Sequence, residues 1–233
     1  MKSENMNYFT DQDRWADQVF TQYRQERNAS NILITDLDDT LLDANARWFE
    51  LYMTLLESQE SKTPPTDIAT FKKDGPRVHI EPLVADYQLL KERLIEDVSF
   101  NTGFSAFSNA KDLQEAGAIH AIPHGYISTR PALLHEVTSK NLQDCGFTDS
   151  PLLLRSASVA YADTISYKNS ALFALRALLD AAHLKKVNVY YVDDYQGLIE
   201  RLNHSRQGII GIHFDENSSW ESILGAIGLS SNT

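Results

Sequence analysis

Short apolar runs, separated by longer stretches in which apolar residues return every three or four positions, set the frame of this chain. The runs are Ile32-Leu33-Ile34, Ala121 to Ser128, Pro151 to Arg155, Val187 to Val192 and Gly208 to His213. Their length and β-branched content read as buried strands, and in the second run Pro123 places the start of pairing after itself. Helical spacing fills the intervals. Trp15, Val19, Phe20 and Tyr23 predict an amphipathic helix over residues 10–27, behind a loose polar tail. Trp48, Phe49, Leu51, Tyr52, Leu55 and Leu56 predict another, halted before Pro64-Pro65, and a third covers about Leu83 to Ile95. Between these two, Phe71 to His79 reads as an exposed loop carrying Lys72, Lys73, Arg77 and His79. Lys111 to Ala116 ends a helix that Gly117 caps, and Pro131 opens one that runs to about Cys145. Lys168 opens a long helix with Leu172, Leu175, Leu178 and Leu179 inward. Leu198, Ile199 and Leu202 mark the next, and Trp220 to Ile227 the last. Strands alternating with helices predict an α/β fold, a doubly wound five-stranded parallel sheet with right-handed crossovers.

Polar chemistry gathers where the strands end. The first strand runs straight into Asp36, Asp38 and Asp39, three carboxylates within four residues. Buried together they would repel, and a divalent cation removes that objection. Asp36 and Asp38 are two apart, so on an extended chain they lean to the same side, where one could attack while the other moves a proton. A solvated turn, or a helix cap by Asp39 or Thr40, would account for the acids equally well at this point. The fourth strand also ends in an acidic pair, Asp193-Asp194, about 155 residues further on. The second ends in Ser128-Thr129-Arg130-Pro131, which offers a hydroxyl and first-turn amides to an anion, though a serine there could merely cap the helix. Lys168, as a cation in the first turn of a helix, opposes the helix dipole and so wants an anionic partner such as Asp36 or a phosphate.

Composition narrows the field. The 233 residues carry a net charge of −11. Such a surface repels phosphate backbones and argues against a nucleic-acid binder, yet a local cation and a few basic groups can invert the field within one cleft. The single Cys145 excludes an internal disulfide framework. No stretch approaches the roughly 20 apolar residues of a membrane span, and the polar N-terminus lacks the apolar core of a secretory signal, so the default expectation is a cytoplasmic protein without membrane contact.

Taken in order, Asp-x-Asp-x-Thr, a strand ending in Ser before Arg-Pro, a lone lysine opening a helix, and Asp-Asp closing a strand resemble the motifs of the haloacid dehalogenase-like (HAD) superfamily. The resemblance covers roughly 31–43 and 109–215. It implies a Rossmann-like core over 1–43 and 109–233. Between Thr40 and Ser128 lie 87 residues, more than one crossover helix needs, against 39 between Ser128 and Lys168. The insertion over 44–108 is therefore expected to be a helical cap of the kind called C1 in this superfamily.

By the same resemblance, Asp36 is the nucleophile and Asp38 the general acid and base. Ser128, with Thr129 in reserve, and Lys168 bind the transferring phosphoryl group. Magnesium is held by Asp36, the Asp38 backbone carbonyl, Asp193 and Asp194. Arg130, Arg77 and Tyr195 are candidates for contact with the substrate. The implied activity is a magnesium-dependent phosphatase acting on a small phosphorylated metabolite through an aspartyl phosphate. A phosphotransferase or mutase would share every motif, and a non-catalytic binding protein would have kept them without turnover. Serine in place of the commoner threonine, and Tyr195 where a small polar residue is usual, are the departures.

Overall fold

In a computed structural model describing residues 10–26, 29–58, 66–107, 113, 122–147, 149–159, 163–205, 208–215 and 218–228, the five apolar runs pair into one sheet. The strands are β1 (Asn31–Thr35), β2 (His124–Pro131), β3 (Leu152–Arg155), β4 (Asn188–Asp193) and β5 (Ile209–His213). All pairings are parallel, in the order β3-β2-β1-β4-β5, so the chain reverses its direction of winding at central β1. In such sheets the crevice beyond the carboxyl ends at the reversal is the ligand site. The register decides what meets there. Thr35 pairs with Val192, which sets Asp36 beside Asp193, and the Asp36 amide extends the ladder by donating to the Val192 carbonyl at 2.9 Å.

Alternation along the strands sends side chains to two apolar layers. Ile32, Ile34, Val189 and Tyr191 pack under helix α1 (Asp11–Gln25) and the helices Thr164–Ala181 and Gln196–Ser205. Leu33, Tyr126 and Val192 face Leu142, Phe147, Trp220 and Ile223 on the other side. The N-terminal helix is a core element. Thr10 and Asp13 form a capping box, and Trp15, Ala16 and Val19 are buried. Trp15 also donates its indole N–H to the Pro151 carbonyl at 3.1 Å. Gly125 permits this approach, because a Cβ there would stand 2.9 Å from Val19 and 3.1 Å from both Trp15 and Ile34.

The segment between β1 and β2 is helical and has an apolar centre of its own. Helix α2 (Ala44–Ser58) contributes Tyr52 and Leu56, while Phe71 and Ile80 come from α3 (Ile68–Asp74) and α4 (Pro76–Ile80). A further helix, α5 (Tyr87–Leu94), follows a 3₁₀ turn over Glu81–Leu83. The expected loop over Phe71 to His79 is thus two short helices. They are split at Gly75, whose φ of 83° ends α3 before Pro76 occupies the first turn of α4. Phe71 defeats the loop reading, since it is fully buried and stacks on His79 with ring centroids 5.2 Å apart. The helix expected over Lys111 to Ala116 lies outside the described residues, apart from the buried Leu113.

Two helix starts also differ from expectation. Pro131 closes β2 and precedes a 3₁₀ turn over Ala132–Leu134, so the α-helix opens only at His135. No first-turn amides therefore follow Thr129 directly. Lys168 sits in the second turn of the helix that begins at Thr164. Among the described residues, no helix is long and apolar enough to cross a membrane.

Candidate active site

The strand-end acids converge because β1 and β4 are neighbours in register. Lys168 locks them together. Its ammonium lies 2.9 Å from Asp36 Oδ1 and 2.8 Å from Asp193 Oδ2, with only 5% of the residue exposed. Burial works against that cation, but the two carboxylates outweigh it and hold Lys168 above the usual lysine range. Burial pushes the Asp36 carboxyl well above its ordinary value. Lys168 opposes the rise, and Asp193, Asp194 and Asp38 reinforce it.

Asp193 has no exposed surface, and both its oxygens are engaged, leaving Oδ1 with the spare acceptor position. Oδ2 takes the Lys168 ammonium and the Tyr191 hydroxyl, and Oδ1 takes the Tyr195 amide at 2.7 Å. The Tyr191 phenol is driven up by its burial and by Asp193. Asp194 opens toward solvent beside this pair; withdrawal from water at the cleft and the Asp193 charge raise its carboxyl to about 7.

After Thr35 the chain leaves the extended state. The Leu37 carbonyl accepts from the amides of Leu41 and Leu42 at 2.8 Å, and Asp39 takes a positive φ of 58°, which aspartate tolerates better than most residues. This turn, more than strand alternation, sets where the acids point. Asp36 is directed to Lys168, whereas Asp38 meets Arg130 in a forked pair. Arg130 Nε lies 3.0–3.1 Å from both Asp38 oxygens, and Nη2 lies 2.6 Å from Oδ1. Asp39 Oδ1 accepts the Asn45 amide at 3.1 Å; burial and the Asp38 charge push its carboxyl up to about 7.

A cavity of about 350 Å³ joins these groups, lined by Asp36, Asp38, Asp39, Thr129, Lys168, Asp193, Asp194 and Tyr195 together with Thr164, Ile165 and Leu198. Of the two hydroxyls at the end of β2, it is Thr129 that lines the cavity. Ser128 is fully buried, and its Oγ accepts the Arg130 amide at 3.2 Å. Arg77 lies away from the cavity lining, in an exposed pair with Glu81. The sequence offered no sign that Arg130 would grip Asp38, nor that Tyr191 would brace Asp193. The Arg-Pro after Thr129 and the aromatic end of β4 were visible, but which side chain they served depends on contacts across the sheet.

Carboxylate oxygens of Asp36, Asp193 and Asp194 lie within 4.8 Å of one another. Magnesium takes oxygen ligands at about 2.1 Å in octahedral geometry, so opposite ligands stand about 4.2 Å apart. The cluster is thus close to the required size, and its donors are the hard oxygens that cation prefers. Charge points the same way, since among the described residues lining the cavity Asp36, Asp38, Asp39, Asp193 and Asp194 face a single cation, Lys168, while Arg130 pairs with Asp38 from outside that lining.

No family model matches the chain, and no curated protein matches it. Solved structures do. A hydrolase from Streptococcus pneumoniae TIGR4 superposes with a TM-score of 0.57 at 14% identity, over 86% of this chain and 98% of the other. A haloacid dehalogenase-like family hydrolase, also from Streptococcus pneumoniae, gives 0.48 at 16% identity, over 84% and 89%. A HAD family enzyme from Bacteroides thetaiotaomicron, in complex with magnesium and inorganic phosphate, gives 0.42 at 14% identity, over 84% and 99%. At these identities the likeness is one of fold.

Proposed function

We propose that this chain, which has the fold of the haloacid dehalogenase-like hydrolases, is a magnesium-dependent phosphatase of a small phosphorylated metabolite. The observation that carries the reading is the meeting of Asp36, Lys168, Asp193 and Asp194 at the ends of β1 and β4, in one cavity with Asp38 and Thr129. A structural role explains such a cluster poorly, because burying this many carboxylates around one lysine is costly. An anionic substrate held with a divalent cation explains it.

In this reading Asp36 Oδ attacks phosphorus, the bond from phosphorus to the leaving oxygen breaks, and Asp38 delivers a proton to that oxygen. A water then attacks the aspartyl phosphate, Asp38 takes its proton, and phosphate departs with Asp36 regenerated. Lys168 and Thr129 stabilise the equatorial oxygens, with Ser128 supporting the Arg130 amide from below. Asp36, Asp193, Asp194 and the Asp38 carbonyl would hold magnesium, which when bound neutralises charge between the carboxylates and the phosphoryl oxygens. Because Lys168 and Tyr191 already occupy Asp193 Oδ2, Asp194 is the freer carboxylate of the pair. The helices α2 to α5 would act as the cap over the cleft, excluding water and bulky substrates.

The test is release of phosphate from p-nitrophenyl phosphate by wild type and Asp36→Asn, with magnesium and with chelator. Turnover that needs the metal and is lost in the variant supports the reading. Equal rates in both proteins would remove Asp36 from the role of nucleophile.

A further inference from the structure

A second cavity, of about 210 Å³, lies against the first and shares Asp38, Asp39 and Thr129 with it. On its wall Trp48 and Phe100 form an edge-to-face pair with centroids 4.9 Å apart, Phe104 and Ile95 continue the apolar lining, and Lys91 and Asn101 add polar groups. Arg130 lies over the Phe104 ring at 4.2 Å and is 5% exposed. Its Nε and Nη2 are taken by Asp38, while Nη1 is buried with no hydrogen-bond partner among the described residues. A guanidinium N–H withdrawn from water without an acceptor is costly, and polar groups left in this state call for a missing partner.

Resting on the phosphatase reading, we propose that this second cavity receives the leaving group, and that the leaving group is a single aromatic ring bearing an oxygen acceptor for Arg130 Nη1. An engineered apolar cavity of about 150 Å³ holds a benzene, so this volume has room for one substituted ring. The wall selects an aromatic one, since edge-to-face and stacked contacts to Trp48, Phe100 and Phe104 reward a flat π face. Asp38 borders both cavities, as a group that protonates the bridging oxygen must. Arg130 is then a positioning residue, fixing the Asp38 carboxylate with one edge of its guanidinium and the ring oxygen with the other.

Esters of similar leaving-alkoxide basicity separate pocket recognition from intrinsic reactivity. We would measure kcat/KM for propyl, cyclohexylmethyl, benzyl and 3-hydroxybenzyl phosphates, and calorimetric binding of the inert propyl- and benzylphosphonates with magnesium. The benzyl ester is expected to exceed the propyl ester by about tenfold or more, chiefly through KM, with the cyclohexylmethyl ester between them. The 3-hydroxybenzyl ester is expected to gain further, and Arg130→Lys to lose that gain. In Trp48→Ala and in Phe100→Leu the benzyl-to-propyl ratio falls toward one. Equal binding of the two phosphonates by wild type, or an unchanged ratio in both folded variants, overturns the proposal. Failure of the phosphatase reading looks different: no ester is turned over, while the phosphonates are still discriminated.

Discussion

Replacing Lys168 with methionine keeps most of the side-chain volume and removes one charge from a place where that charge has no substitute. The ammonium is shared by Asp36 at 2.9 Å and Asp193 at 2.8 Å, all three residues being buried. Deleting one member of such a group costs about 3–5 kcal/mol, because the partners stay buried and uncompensated. For a chain of this length each kcal/mol corresponds to about 2–4 °C, so the melting temperature in chelator should fall by roughly 6–20 °C. A divalent cation that binds the folded protein at a hundred times its dissociation constant restores about 2.7 kcal/mol. Wild type gains from the metal too, but the variant cluster lacks one positive charge and should bind the cation more tightly, so the loss should be smaller in millimolar magnesium. Thermal unfolding followed by circular dichroism, with and without metal, reads both effects. The double variant Lys168→Met/Asp193→Asn should lie closer to wild type than the sum of the single changes, since the two residues touch. A Lys168→Met protein as stable as wild type in chelator would refute this view of the charge cluster.

Three further outcomes follow from the packing. His124 is buried against Thr35, 3.1 Å from its hydroxyl, and burial depresses its imidazole to about 3 from an ordinary 6.5. Between those values the unfolded chain binds the extra proton, so stability is complete above pH 6.5 and falls as the pH drops toward 3. The total approaches about 5 kcal/mol at 1.36 kcal/mol per unit, and His124→Gln should flatten that acid limb in denaturant titrations run across the pH range. Gly125→Ala forces a methyl against Val19, Ile34 and Trp15, and overpacking of this kind costs about 1–3 kcal/mol, read as a lower urea midpoint at constant slope. Arg77→Ala should leave kcat/KM unchanged for any active ester, since Arg77 is exposed, pairs with Glu81 and lies outside the lining of both cavities.

The sheet was legible in the chain because each strand is a short apolar run ended by a turn or an acid, and parallel strands buried on both faces need that pattern. The acidic ends of β1 and β4 were legible for the same reason. What escaped the sequence depends on contacts between distant segments. Phe71 sits among lysines and an aspartate, so local polarity suggested a loop, while its burial comes from Tyr52, Phe49 and His79. Pro131 fits a first helical turn by propensity, yet β2 extends to it through an irregular pairing with Arg155 of β3. Spacing predicted Asp36 and Asp38 on one side of a strand, and the tight turn after Thr35 aims them at different cations. Trp48 read correctly as part of an apolar helix face, but nothing local distinguishes a residue that fills a core from one that walls a cavity.

The most direct test of the phosphatase account is chemical capture of its intermediate. Asp38→Asn should form the aspartyl phosphate and hydrolyse it slowly, because the water loses its general base while Asp36 remains. Rapid acid quench of this variant after exposure to an aryl phosphate and magnesium, followed by peptide mass spectrometry, locates the phosphoryl group. The account predicts a hydroxylamine-labile phosphoryl group on Asp36, dependent on magnesium and absent from the Asp36→Asn/Asp38→Asn double variant. Turnover by wild type with the label on another residue, or with the double variant labelled equally, would contradict it.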